Sequence, residues 1–322
     1  MTRRILLTGG SGFIGTNLVE YLAAQPDTDL VNLDIARPRN PLHGWAWKPV
    51  DVCDPDAVDS AVAAHEPDAI VHLAARTDLA GESVSDYRAN TEGVRNVVRA
   101  AVRHEVPRAL FVSSQLVCKP GSLPSSDLDF CPPNPYGESK VEGERIVRAE
   151  ADDRLIWSIV RPTTIWGPWW GTLYSAFFRA VRSGRYLHPR GRTVHKSFGY
   201  VGNAVWQLDR LASVPADDVA GRVFYLADWE AYDVQEWAAE IADAFGRRRP
   251  RTVPVGILRA AALCGDALRF VGFEDPPLTS YRLSNLLTST RFDLEPLREL
   301  CGPLPFTRLQ GTAATAKWMC EQ

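Results

Sequence analysis

Arg4-Ile5-Leu6-Leu7-Thr8-Gly9-Gly10-Ser11-Gly12-Phe13-Ile14-Gly15 decides how the rest of the chain is read. Ile5 to Leu7 is a short apolar run without helical spacing, which predicts a strand buried on both faces. Glycines stop the run, and Phe13, Ile14, Leu18, Val19 and Leu22 then recur at helical spacing, so a helix opens there. Gly10 to Gly15 spells G-x-G-x-x-G between strand and helix, and Gly9 adds a second phase, G-x-x-G-x-x-G. Without side chains the loop backbone can approach a pyrophosphate, whose charge the helix N-terminus favours. The next strand, Leu30-Val31-Asn32-Leu33, ends in Asp34, nineteen residues past Gly15. That spacing is close to the roughly 20 expected for the acid that holds a ribose hydroxyl pair. Loop and acid together read as a dinucleotide site.

Outward from that stretch, residues up to about 160 alternate short β-rich runs with helical patterns, the signature of a doubly wound parallel sheet in an α/β protein. Residues 36–47 carry Pro38, Pro41 and Gly44 and read as a loop, and Val50-Asp51-Val52 reads as a brief strand outside the count of the main ones. Asp54-Pro55 supplies an N-cap and a proline at the first helical position. Ala69-Ile70-Val71-His72-Leu73 is the next strand, ending at Ala74-Ala75, where two small residues let a flat ligand lie against the backbone at the C-terminal edge of the sheet. A helix is expected over 84–105, and Asn90 within it is read as hydrogen-bonding a neighbouring strand or loop, because an amide is a poor helix former. Ala109-Leu110-Phe111-Val112 ends at Ser113-Ser114, residues 118–135 form a surface excursion, and Tyr136-Gly137-Glu138-Ser139-Lys140 opens another helix. Trp157-Ser158-Ile159-Val160 is the fifth strand. Beyond Arg161 the rhythm changes: a helix over 173–182, a strand over 193–201, a helix over 203–211, and a strand at Val223-Phe224-Tyr225-Leu226. Capping boxes at Asp233/Glu236 and Thr307/Gln310 open later helices. The division that follows is a dinucleotide-binding domain of residues 1–165 with 193–228, and a smaller, mostly helical C-terminal substrate lobe of residues 166–192 with 229–322.

The 322 residues, 45% apolar and 23% charged, suit a globular protein with an ample core. A net charge of −3 gives no reason to expect nucleic acid or an anionic membrane as partner. The apolar stretch 257–271 contains Arg259, Asp266 and Arg269, is too short and too charged to span a bilayer, and reads as a packing helix. Six cysteines far apart with no C-x-x-C read as reduced thiols of a cytoplasmic protein. No histidine spacing suggests a metal site, and the N-terminus enters a strand without a signal peptide's apolar core.

Tyr136 and Lys140 are four residues apart and share one helix face. A free tyrosine, with a pKa near 10, is a poor base at neutral pH. An ammonium about 4 Å away is worth on the order of 4 kcal/mol at an effective dielectric of 20, which brings the phenol into working range. Glycine loop, acid after the second strand, Ala-Ala, Ser-Ser, then Tyr-x-x-x-Lys: in this order the set resembles the extended short-chain dehydrogenase/reductase family, in its nucleotide-sugar epimerase/dehydratase branch, over nearly the whole chain. The resemblance implies a Rossmann fold, a homodimer, and NAD on Gly9, Gly12 and Gly15, with Phe13, Ile14 and Leu73 completing the set. It also implies Asp34 on the adenosine ribose, Asp51 and Val52 near the adenine, and Ala74 and Ala75 near the cofactor's middle. Asn90 would prop the site and Ser114 would hold the substrate oxygen. Tyr136 would be the acid-base catalyst, with Lys140 gripping the nicotinamide ribose and supplying charge. A carboxylate at Asp34 repels a 2′-phosphate and favours NAD; Arg37 and Arg39 just beyond keep NADP as the lesser expectation.

The substrate side matches less fully. Thr164 stands where an asparagine often contacts the sugar nucleotide, and Lys196 where an arginine commonly meets the diphosphate; a lysine offers a point charge without a bidentate fork. Trp166, Trp169 and Trp170 read either as an aromatic wall for a ring or as packing. Gln115-Leu116 follow Ser114 where sugar-nucleotide dehydratases of the family carry Asp-Glu, so carboxylate-assisted dehydration lacks its acid and base. The expected activity is therefore an epimerase, reductase or dehydrogenase acting on a nucleotide-linked sugar through a keto intermediate. A same-fold oxidoreductase on a non-sugar alcohol or ketone, of the 3β-hydroxysteroid dehydrogenase or flavonol reductase kind, is the alternative. A non-catalytic dinucleotide sensor is the remote one.

Overall fold

A computed structural model describes residues 2–122, 124–171, 175–273, 276 and 278–322. Seven parallel strands form the central sheet: β1 (Arg3–Thr8), β2 (Thr28–Leu33), β3 (Trp47–Lys48), β4 (Ala69–His72), β5 (Arg108–Val112), β6 (Ile156–Pro162) and, after four short strands, β11 (Arg222–Leu226). Their order is β11-β6-β5-β4-β1-β2-β3. The order reverses between β1 and β4, so a crevice opens there beyond the carboxyl ends of the strands. Strand β1 is buried on both faces as expected: Ile5 and Leu7 enter one apolar core, with Leu18, Val19 and Leu22 of α1 (Phe13–Ala23). Leu6 enters the other core, with Val97 and Val98. Helices α2 (Pro55–His65), α3 (Arg88–Arg103) and α4 (Pro135–Glu150) cover that second face.

The short strands β7 (Thr164–Trp166), β8 (Leu187–Pro189), β9 (His195–Lys196) and β10 (Phe198–Tyr200) lie outside the main sheet, as do β12 (Tyr232–Asp233) and β13 (Arg251–Val253). They form three two-stranded pairs: β7 with β10, β9 with β12, and β8 with β13. Helices α5 (Ala176–Arg182), α6 (Val201–Leu211), α7 (Val234–Ala244), α8 (Val255–Phe270), α9 (Ser280–Leu287), α10 (Glu295–Cys301) and α11 (Arg308–Glu321) complete the described elements. Among the described residues no helix is long and apolar enough to cross a membrane.

Several local expectations shift. The brief strand expected at Val50-Asp51-Val52 falls instead at Trp47–Lys48, paired with Asn32 and Leu33. Pro49 has no N–H to give the ladder, so pairing stops before it. The 36–47 loop holds a 3₁₀ turn, Pro41–Trp45, capped by the Asn40 side chain. The helix expected from 84 begins as a 3₁₀ turn closed by a Ser83/Asp86 capping box and becomes α-helical at Arg88. The 193–201 strand is two, broken at Ser197. In the 173–182 helix, Leu173 lies outside the described residues and α5 starts at Ala176. The six cysteines are free thiols, and Cys118 and Cys131 face each other in an isolated parallel bridge. Helix α8 forms as expected, and among the described residues it fully buries only Leu258, Ala262 and Gly265.

Candidate active site

The glycine loop is held from beneath by its own strands. Gly9 sits at φ +76°, and a Cβ there would lie 2.5 Å from the backbone nitrogen of Ala74. At Gly15 a Cβ would lie 2.2 Å from the Gly9 carbonyl oxygen, so this glycine lets the helix close onto the loop. Gly12 differs: a Cβ there meets only the Gly9 carbonyl, at 3.2 Å, and the space beyond is open. Helix α1 starts at Gly12 with no side-chain cap and no acid in its first turn. Its positive end is thus presented to an anion, as a bound pyrophosphate requires. Phe13 and Ile14 are the first residues of that turn.

Asp34 leaves β2 beside this loop. Its carboxylate accepts from the N–H of Ser11 (2.9 Å) and of Ala36 (2.9 Å), one bond per oxygen. A carboxylate has about four acceptor positions, so each oxygen keeps one for a ribose hydroxyl. Asn32, two residues earlier, is buried and accepts from the Gly10 N–H at 2.7 Å. Sequence reading passed over it, although an amide inside an apolar strand facing a glycine loop was the available signal. Arg39 is engaged with the carbonyls of Ser11 and Trp169, and Arg37 stacks over Trp47. Asp51 is exposed and caps the N–H of Cys53, while Val52 turns inward against Gly93 of α3. Leu73, Ala74 and Ala75 follow β4; the Leu73 and Ala74 N–H groups bond the Thr8 carbonyl and hydroxyl, which presses this segment on Gly9.

The catalytic candidates lie just past the end of β5 and on the first two turns of α4. Pro135 occupies the first turn of α4 and the Asn134 side chain caps it, so the helix starts one residue before Tyr136. Tyr136 and Lys140 are both buried on it. The Lys140 Nζ donates to the Val112 carbonyl at the end of β5 (3.0 Å), and burial, opposed by Glu144, lowers its pKa to about 8. Ser114, two residues past that carbonyl, is nearly buried, and its Oγ accepts from the Leu116 N–H. Tyr87 packs edge-on against the Tyr136 ring, with centroids 5.9 Å apart.

Asn90 makes the structural bonds expected of it. It is fully buried, accepts from the Arg76 N–H (2.9 Å), and donates to the Arg76 carbonyl and to Ser139 Oγ. Ser139 in turn donates to the Tyr136 carbonyl at 2.7 Å, so one amide ties the segment after β4 to the first turn of α4. A second network was not legible in the sequence. Glu144, one turn past Lys140, is buried and takes two hydrogen bonds from the buried Arg161, at 2.8 Å each, and one from Ser113 at 2.7 Å. Burial works against the Arg161 charge, but the bonds to Glu144 hold its pKa above the usual range. His72, beneath the loop, bonds Thr8; burial and the charge of Lys140 keep it neutral.

On the substrate side, Thr164 accepts from Gln115 at 3.2 Å and so is joined to the Ser114 turn. Lys196 lies farther along, in β9, where its Nζ donates to Asn285 of α9 (3.1 Å). Burial alone lowers its pKa, to about 8, so it is a half-buried cation rather than a solvated surface lysine. The tryptophans do not form a wall. Trp166 and Trp170 are core, packed on Phe178, and Trp169 bonds Glu20 of α1. Among the described residues no group of three or more His, Cys, Asp or Glu is placed to hold a metal ion.

Comparison with known proteins fits this geometry. A profile of the NAD dependent epimerase/dehydratase family matches residues 5–227. The chain is 29% identical over 329 residues to the N-acetyl-alpha-D-glucosaminyl-diphospho-ditrans,octacis-undecaprenol 4-epimerase of Escherichia coli O157:H7, covering 99% of this chain and 96% of that one. It is 28% identical over 330 residues to a 3-beta-hydroxysteroid dehydrogenase of Mycolicibacterium neoaurum, covering 96% and 89%. Its fold matches the Thermus thermophilus UDP-glucose 4-epimerase, solved in complex with NAD, with a TM-score of 0.71 at 20% identity over 98% of this chain and 99% of that one. The chain is an enzyme of the NAD-dependent epimerase/dehydratase family.

Proposed function

We propose that this enzyme moves a hydride to and from a carbinol carbon of a diphosphate-linked sugar, with epimerisation as its net reaction. The observation that supports the reading is the bond of the Lys140 ammonium, one helical turn after Tyr136, to the Val112 carbonyl, two residues before Ser114, in a fold whose glycine loop opens an uncapped helix. NAD, held on Gly9, Gly12, Phe13, Ile14 and Gly15, with Asp34 on its ribose, would supply the hydride acceptor. Tyr136 takes the proton of the substrate hydroxyl as the carbon is oxidised to the ketone, and returns it on re-reduction. The Lys140 ammonium, fixed by the Val112 carbonyl, stabilises the phenolate left behind. Ser114 Oγ donates to the substrate oxygen and holds it against Tyr136. Asn90 acts through Ser139 on the Tyr136 carbonyl, which makes it a positioning residue. Asp34 favours NAD over NADP, because its carboxylate repels a 2′-phosphate.

Residues 166–192 and 229–322 form the substrate lobe in this reading. Lys196, a half-buried cation whose bonded partner is a neutral amide, suits the diphosphate. Its lack of a bidentate fork favours a second reading, reduction or oxidation of a non-sugar alcohol or ketone. The test is to incubate the enzyme and NAD with UDP-, GDP- and dTDP-sugars and with apolar hydroxyketones, following reduced-nicotinamide absorbance and product stereochemistry. Inversion at one carbinol of a sugar, without net cofactor reduction, supports the proposal. Turnover confined to the apolar alcohols, with stoichiometric cofactor reduction, replaces it with the second reading.

A further inference from the structure

Helix α8 presents two different faces. One packs Leu258 and Ala262 against Leu283 of α9. At 100° per residue the opposite face is Ile257, Leu263, Leu268, Phe270 and Val271, all exposed, Leu263 at 66% and Phe270 at 93%. Ala260, Cys264 and Ala267 fill the gaps between them, so no polar side chain interrupts the face; Arg259, Asp266 and Arg269 stand outside it. Sixteen residues give it a length of about 24 Å at 1.5 Å each. Large contiguous exposed apolar faces of this kind mark interaction sites. Phe273, just past the helix, and Tyr281, in the first turn of α9, are also exposed.

Charge identifies what covers it. Residues 175–192 hold five arginines and no acid, and residues 246–282 hold seven arginines and three acids, in a chain whose net charge is −3. Pairing of β8 with β13 sets the two segments side by side, and β13 leads through Pro254 into α8. Arg185, Arg190, Arg192, Arg247, Arg248 and Arg251 are exposed in these two segments, the second of which leads into the N-terminus of α8. A second copy of α8 would offer them no carboxylate besides Asp266, whereas phosphate headgroups satisfy arginines and acyl chains accept leucine and phenylalanine.

We propose that the outer face of α8, with this arginine collar, docks on an anionic phospholipid bilayer, the helix lying in the interface rather than crossing it. This goes beyond the expectation of no membrane partner, which rested on the whole-chain charge and on a stretch too short and too charged to span a bilayer. Helix α9 runs directly behind the docking face and carries Asn285, the partner of Lys196. On the reading of Lys196 given above, docking would therefore bring the substrate lobe to the membrane surface.

The experiment is flotation of the full-length protein with phosphatidylcholine vesicles, with and without phosphatidylglycerol, at low and physiological salt. The protein should float with the anionic vesicles, stay behind with the neutral ones, and be released by salt. Leu263→Asp with Phe270→Asp should remove binding at unchanged Tm, because both side chains are exposed. Arg247→Glu with Arg248→Glu should weaken binding by more than tenfold, from about fivefold per arginine lost. No flotation with phosphatidylglycerol vesicles at low salt overturns the proposal, as does binding that survives the Leu263/Phe270 change. A dimer that the same change dissociates, in a protein that does not float, overturns it in favour of a second copy. The assay involves no turnover, so its failure leaves the Tyr136 reading untouched, and a failed substrate screen leaves the docking surface untouched.

Discussion

Lys140→Met should make the protein more stable while ending its turnover. Lys140 is 6% exposed, and burial moves its pKa from 10.5 to about 8. At about 1.4 kcal/mol per unit, keeping that ammonium charged costs the native state about 3 kcal/mol. Methionine fills nearly the same space and gives up one hydrogen bond, to the Val112 carbonyl, worth about 1 kcal/mol. The balance is a gain of about 2 kcal/mol, or about 4 °C in Tm for a chain of this size. The sign with pH follows from the direction of the shift. Below about 8 both native and unfolded chains hold the Lys140 proton and the penalty is complete. Between about 8 and 10.5 only the unfolded chain holds it, so wild-type stability rises with pH relative to the variant. The methionine variant should therefore melt higher at pH 7, and the difference should shrink towards pH 10. Melting curves of both proteins without added nucleotide, at the two pH values, are the assay. A variant less stable than wild type at pH 7, or a difference indifferent to pH, would refute the reasoning.

Other consequences follow from the same geometry. Glu144→Gln leaves the buried Arg161 charge uncompensated and should cost about 3–5 kcal/mol, seen as a lower denaturation midpoint; adding Arg161→Met should recover much of it. Gly12→Ala has room in the fold and should keep Tm while weakening NAD binding. Gly15→Ala, whose Cβ would fall 2.2 Å from the Gly9 carbonyl, should lose both; calorimetric titration with NAD separates the two. Asp34→Ala should raise the KM for NAD and narrow its advantage over NADP. An NADP preference already present in the wild type would contradict the assignment of Asp34.

What the sequence disclosed was what neighbours in the chain decide. Glycine spacing between a strand and a helix, an acid at the next strand end, and Tyr136 and Lys140 one turn apart are all local patterns, and the fold places them along one edge of the sheet. The brief strand read at Val50-Asp51-Val52 falls instead at Trp47–Lys48, because Pro49 has no N–H to carry the pairing further. Contacts between distant segments left no local trace: Asn32 under Gly10, Ser139 between Asn90 and Tyr136, and Glu144 with Arg161. The tryptophans near 166–170 were open between two roles because bulk alone does not say which side of a lobe a ring faces; Trp166 and Trp170 went to the core. Helix α8 was hidden for a similar reason. Its apolar residues span most of the helix circumference, broken only by Arg259, Asp266 and Arg269, so periodicity alone does not say which apolar side packs.

The central claim is that the Tyr136 phenol moves the proton while other residues hold the cofactor. Single-turnover kinetics and NAD titration of Tyr136→Phe test it most directly. Turnover should fall by about 10²–10⁴-fold, the usual worth of a positioned acid-base group, with NAD affinity unchanged. Turnover retained in a variant that still binds NAD would contradict the account.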